Sequence, residues 1–173
     1  MKKAMIIIAT FVVLLVLITA GTNRAVDGMK GYRAPMFRIE NNDSTVALDQ
    51  LKGQWVLLQF WKSSDAASRI AVKQYTEMES KLDSLTVERF NHLAVNMDRN
   101  ERLFNEVVRR DGLDAGSQFH ASGSRAEKLK SDYHLKSGMH AYLIDPSGKI
   151  VAKNPSEEEM IKISRERETT KQN

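Results

Sequence analysis

Seven residues in a row, Trp55 to Trp61 (WVLLQFW), are apolar but for one glutamine, and they run straight into the polar turn Lys62-Ser63-Ser64 and then a helical pattern. A run this short and this apolar reads as a strand covered on both faces, and a buried strand feeding a helix through a tight loop is the unit of a layered α/β domain. The helix shows itself by its stripe. Ala67, Ala71, Tyr75, Met78, Leu82 and Leu85 recur at spacings of four and three, which keeps them on one face, while Lys73, Glu77 and Lys81 take the opposite one. Ser63, Ser64 and Asp65 are all competent N-caps, so the first turn carries unpaired N–H groups and the positive end of the helix dipole close to Asp65.

Around this unit the chain divides readily. Residues 1–21 open with Lys2 and Lys3 and continue as AMIIIATFVVLLVLITAG with no further charge, the pattern of an export leader. Two fates stay open for it. Ala4 to Gly21 amounts to roughly 27 Å of helix, enough to span a hydrocarbon layer, while Thr19-Ala20-Gly21 would serve as a cleavage site. The apolar run exceeds the usual signal core of about 7 to 15 residues, which favours a retained anchor. Either way the body is expected outside the cytoplasm, in the periplasm and tethered to the inner membrane if the leader stays, or as a secreted soluble form if it is cut. Residues 22–33, with Gly28 and Gly31, read as a linker. A single domain is expected over 34–166, followed by a flexible tail at 167–173.

Within that domain, Pro35 to Leu48 with a turn at Asn41-Asn42-Asp43 predicts a β-hairpin. Phe90 to Met97 reads as the next strand. Asp98 with Glu101 predicts a capping box for a helix that carries Leu103, Phe104, Val107 and Val108 and closes at Gly112. A short strand is expected near Ser117 to Ala121, and Ser124 with Glu127 predicts a second capping box. Met139 to Asp145, Pro146-Ser147-Gly148 and Lys149 to Ala152 form a strand, turn and strand, and Asn154 with Pro155 at the first helical position opens a last helix.

Charge and composition exclude several functions. Of 26 basic and 22 acidic residues, two of the bases are Lys2 and Lys3, so the body is nearly balanced with both signs interspersed, and nothing argues for nucleic acid. His92, His120 and His134 have no ligand spacing, and no metal or other cofactor is expected. The sequence contains no cysteine, so it has no disulfide, no thiolate nucleophile and no thiolate metal site.

The junction resembles the active-site segment of thioredoxin-like proteins, a W-x-x-W-C-x-x-C-R type sequence. Trp61 falls on the first tryptophan and Arg69 on the closing arginine, with Asp65 and Ser68 in the two cysteine positions. Ala34-Pro35 through Leu51-Lys52-Gly53 is similar to the opening of the TlpA/ResA-like, AhpC/TSA-type branch of that superfamily. Leu143-Ile144-Asp145, Gly148 and Ile150 match its C-terminal hairpin, which puts Met139 where the family carries a cis-proline. Over Ala34 to Ile163 the resemblance implies a thioredoxin-like three-layer α/β fold, a central mixed sheet flanked by helices with an N-terminal β-hairpin. It would also bring a label of thiol-disulfide oxidoreductase without the atoms for that chemistry.

At Asp65 the helix field favours the carboxylate, a stabilising cap but a weak base. A cis peptide before a non-proline residue costs about 2.5 to 4 kcal/mol, so Gly138-Met139 is expected to be trans and the adjoining loop reshaped. Two readings follow. The first is a redox-dead, non-catalytic domain that binds another extracytoplasmic protein or peptide through Trp61, Ser64, Asp65, Ser68, Met139 and His140, although strand-end aromatics such as Trp61 more often belong to the core. The second is an enzyme of another class, a hydrolase, in which Asp65, Ser68 and His140 supply acid, hydroxyl and imidazole.

Overall fold

In the computed structural model, which describes residues 30–40, 45–85 and 89–172, the buried run is β3, Trp55–Trp61, with all seven side chains buried. Its backbone is paired on both sides, parallel to β4 (Phe90–Asn96) and antiparallel to β6 (Ala141–Ile144). Outside these lie β5 (Gln118–His120), parallel to β4, and β7 (Ile150–Lys153), antiparallel to β6, so the sheet order is β5-β4-β3-β6-β7. A separate two-stranded hairpin, β1 (Arg38–Glu40) and β2 (Thr45–Ala47), precedes it. Among the described residues there are four α-helices: α1 (Ala66–Leu85), α2 (Glu101–Asp111), α3 (Gly123–Asp132) and α4 (Glu157–Gln172).

Alternation along β3 sorts the two faces. Val56, Leu58 and Phe60 join Tyr142, Phe119, α3 and the hairpin in one core, in which the Phe60 ring lies 5.0 Å from that of Tyr133. Trp55 and Leu57 meet Tyr75 and Leu82 of α1 and Met160 of α4, with Trp55 stacked on Phe90 at 5.5 Å. Trp61 belongs to a third cluster with Val72, Phe104 and Val107. The result is the three-layer α/β architecture with a mixed sheet and an N-terminal hairpin.

Local readings are corrected in five places. Ala67 is exposed and the inward position is Ser68, because Ser68 is held against the end of β3 by hydrogen bonds described below. Asn100, not Asp98, caps α2, accepting from the N–H groups of Arg102 and Leu103. Asp98 is already engaged by the Ser63 N–H and the Asn96 amide. The Ser124–Glu127 box does not form: α3 starts at Gly123, Ser122 makes no side-chain cap, and Glu127 pairs with Lys130. Asn154 stands outside α4 in a left-handed conformation and accepts from the Ala141 N–H, while Ser156 caps the helix through the Glu159 N–H.

The fifth correction concerns the ends of the domain. α4 continues through Gln172, and Arg167, read as tail, reaches Asp145 at 2.7 Å. At the other end, Gly31 and Tyr32 bond to Ile150 and Ala34 to Gly148, so the last linker residues lie along β7. The leader, the Asn41–Asp43 turn and the Leu85 side chain lie outside what is described. Among the described residues no helix is long and apolar enough to cross a membrane.

Phe60 is fully buried between Tyr133 and Tyr142. Phe60→Ala should therefore destabilise the domain by about 3 to 5 kcal/mol, measured as a lower urea midpoint at unchanged slope.

Candidate functional site

Beyond Trp61 the chain turns through Lys62 to Asp65, closed by the Asp65 N–H bonding to the Lys62 carbonyl at 3.1 Å. Asp65 then caps α1, its Oδ1 accepting from the Ser68 N–H at 3.1 Å. The Ser68 hydroxyl donates to the Asp65 carbonyl at 3.0 Å and accepts from the Lys62 N–H at 3.2 Å. Ser68 is only 7% exposed, and its proton and a lone pair are both committed to backbone. Asp65 is half-buried and Ser64 exposed. Arg69 does not face this turn; its guanidinium clasps Asp111 of α2. Desolvation raises the Asp111 carboxyl, but the bonds and charges of Arg69 and Arg110 outweigh it and hold the group below its ordinary range.

The loop before β6 adjoins β3 through the Phe60 N–H and the His140 carbonyl, 2.9 Å apart. No described peptide bond is cis, so Gly138-Met139 is trans as expected, with Gly138 at φ 139°. Met139 is half-buried and lies against the hairpin-side core. The imidazole of His140 is not turned to Ser68. Its Nδ1 lies 3.1 Å from the Asn154 amide nitrogen and its Nε2 3.2 Å from the Ser137 hydroxyl. Because the Asn154 carbonyl accepts from Ala141, its NH₂ donates to Nδ1, leaving the proton on Nε2. Burial, then the Lys153 charge, lowers the His140 pKa. The Asp65 carboxylate therefore meets Ser68 at its backbone N–H, the Ser68 hydroxyl bonds to backbone, and the His140 imidazole of the hydrolase reading is bonded to Ser137 and Asn154 instead. Trp61, offered as a binding residue though strand-end aromatics more often belong to the core, is 0% exposed, because the odd-numbered face of β3 is covered by α1 and α2.

What the sequence reading missed lies beneath α1. Gln59 donates to the Ser68 carbonyl at 3.1 Å, and its own carbonyl meets His92 Nε2 at 3.0 Å. His92 Nδ1 reaches the Thr76 hydroxyl at 3.3 Å, and the His92 backbone N–H donates to Glu79 at 2.8 Å. This chain of bonds ties the first turn of α1 to its middle. Its signal was present in sequence as Gln59, His92 and Asn96, polar residues that share one face of otherwise apolar strands. Burial pushes the His92 pKa down to about 4, with the Asp114 charge opposing, and burial raises that of Glu79. Among the described residues no group of three or more histidines and carboxylates is placed to hold a metal ion.

This sheet order, with a helix springing from the end of its central strand, defines a thioredoxin-like domain, here without a cysteine. The AhpC/TSA family model matches residues 31–153; the chain belongs to the AhpC/TSA family. No curated protein matches the sequence significantly. Among solved structures, a thioredoxin-like protein from Parabacteroides distasonis is 28% identical, with a TM-score of 0.61 over 80% of this chain and 96% of that one. The thioredoxin domain of a thiol-disulfide oxidoreductase from Bacteroides vulgatus is 22% identical, with a TM-score of 0.69 and the same coverage. A thiol:disulfide interchange protein from Bacteroides sp. is also 22% identical, with a TM-score of 0.67 over 80% of this chain and 89% of that one. At that identity the last two attest the fold alone.

Two tests follow. Asp65→Cys with Ser68→Cys should give a pair that oxidises to a disulfide, since residues three apart on a first helical turn lie within bridging reach; a folded double variant with two free thiols after oxidation would refute the register. His92 should make stability fall in acid. Between about pH 6.5 and pH 4 the unfolded chain binds a proton that the folded one refuses, a loss on the order of 3 kcal/mol set by the depressed value. Glu79 works in the opposite direction, so the comparison is with His92→Gln, whose denaturation midpoint should fall less over that range.

Proposed function

We infer that this chain is a redox-inactive thioredoxin-like domain that is exported, tethered by residues 1–21, and acts by contact with another extracytoplasmic protein or a peptide. The observation that carries this reading is the outer face of the first turns of α1. Ser64, Ala66 and Ala67 are exposed and Ile70 is 61% exposed, at spacings that place Ala66, Ala67 and Ile70 on one stripe. The inner face is closed by the Asp65 and Ser68 bonds. A side chain as apolar as Ile70 at that exposure, over small residues that let a partner's backbone come close, suits docking better than solvation.

The oxidoreductase names of the similar structures describe those proteins. Without sulfur the same junction has no electron pair to exchange, so recognition is the part of the family's task that this chain can still perform. The hydrolase alternative gains no support from a serine hydroxyl and an imidazole bonded to different partners.

Ile70→Asp should leave stability within about 0.5 kcal/mol, as expected for an exposed site. With a photo-crosslinker at position 67, it should cut the yield of crosslinked partner in intact cells at least tenfold relative to the same probe with Ile70 present. Equal yields would place recognition elsewhere. Deleting residues 2–21 should move the protein out of the membrane fraction, and a full chain already soluble after fractionation would refute tethering.

A further inference from the structure

At the end of β3 opposite the α1 turn, three segments are bonded together. The Ala34 N–H donates to the Gly148 carbonyl, the Ile150 N–H to that of Tyr32 and the Gly53 N–H to that of Pro146, each at 2.9 Å. Arg33, Pro35, Met36, Leu48, Lys52 and Gly148 line a cavity of about 260 Å³ there. Its middle is apolar: Met36 is 54% exposed beside the buried Ala34, Pro35 and Leu48, and Tyr32, earlier on the same segment, is 50% exposed.

The rim is cationic. Arg33 and Lys149 are antiparallel bridge partners, which sets their side chains on one side of the pair with Cβ atoms about 5 Å apart, where like charges repel. A negative charge from outside would relieve that repulsion. Arg33 reaches only the Ser147 carbonyl, at 3.5 Å, and Lys52 adds a third cation to the lining. All three are exposed, and among the described residues none is in an ion pair. Residues 30–36, 48–53 and 145–149 contain two acids. Asp145 is held by Arg167 at 2.7 Å, which leaves Asp49 against the three cations.

The face also lies near the leader in sequence. Residues 22–29 lie between it and Lys30, and fully extended they span at most about 28 Å, less than the width of the domain, on the order of 40 Å. A body tethered in this way keeps one face within reach of the bilayer.

We propose that this face rests on an anionic bilayer surface, with Arg33, Lys52 and Lys149 against lipid phosphates and Met36 among the headgroups. The contact rests on the tether proposed above. Each cation near an anionic surface strengthens association about fivefold, too little for three to hold a free protein but enough once a tether confines it. The seven residues of β3, roughly 23 Å, then separate the lipid from the Lys62 to Asp65 turn, so Ser64, Ala66, Ala67 and Ile70 stay open to a partner.

Because the sequence has no cysteine, Met36→Cys and Ile70→Cys each give a single site for an environment-sensitive fluorophore. The labelled full chain is reconstituted into vesicles of phosphatidylglycerol and phosphatidylcholine, or of phosphatidylcholine alone, both containing a lipid with a nitroxide headgroup as quencher. In the anionic vesicles the label at 36 should be quenched at least twofold more than the label at 70. The difference should vanish in phosphatidylcholine, at an ionic strength of about 1 M, where the Debye length is about 3 Å, and when Lys52→Gln and Lys149→Gln are combined. Equal quenching at the two positions, stronger quenching at 70, or quenching at 36 that survives in phosphatidylcholine or in the glutamine variant would each overturn the contact and leave the tether standing. A full chain that floats with neither kind of vesicle would remove the tether and this contact with it.

Discussion

A strand covered on both faces has nowhere to put an unpaired amide, and β3 obeys that constraint along its whole length. One side pairs in parallel with β4 and the other antiparallel with β6, so three segments distant in sequence are fixed by the need to satisfy one backbone. Alternating side chains then oblige two different layers to form, the hairpin and α3 over one face, α1, α2 and α4 over the other. Gln59 is the single polar interruption. It is tolerated because both ends of its amide are used, one by the Ser68 carbonyl and the other by His92.

That interruption links the core to the surface. Ser68 receives the Gln59 bond on its carbonyl and exchanges two more through its hydroxyl, so the end of β3 and the first turn of α1 form one hydrogen-bonded unit. The Asp65 and Ser68 side chains bond inward, toward backbone, and the outward face is left to Ser64, Ala66, Ala67 and Ile70.

Much of the architecture was legible because burial writes periodicity into sequence. The apolar run at 55–61, the alternation at 93, 95 and 97, and the turn Pro146-Ser147-Gly148 each correspond to one element with little ambiguity. Asp65 as cap of α1 and Gly112 as the end of α2 were legible for the same reason, since each answers a local need of one helix terminus. The errors fell where several residues compete for the same role. Asp98 looked like a cap and is engaged by Ser63 and Asn96; Glu127 looked like half of a capping box and is engaged by Lys130. Ser63, 35 residues from Asp98, leaves no trace in spacing, while Asn96 and Lys130 are near neighbours whose competition for the same carboxylates spacing alone does not resolve. The site residues divide in the same way: Asp65 caps the first turn of α1, but the direction of the His140 ring is set by Asn154 and Ser137, and Trp61 is hidden behind Val72, Phe104 and Val107.

The two borders of the sheet also differ. At β7 the incoming backbone of Gly31 to Ala34 bonds to Gly148 and Ile150, so that margin is already partly occupied by the molecule's own chain. At β5 no further strand pairs with the margin among the described residues, and it is only three residues long. A short or covered margin gives a passing extended chain too few ladder bonds to add itself. Copies crowded together would therefore resist zipping into a continuous cross-molecule sheet, and association between them would depend on side chains rather than backbone.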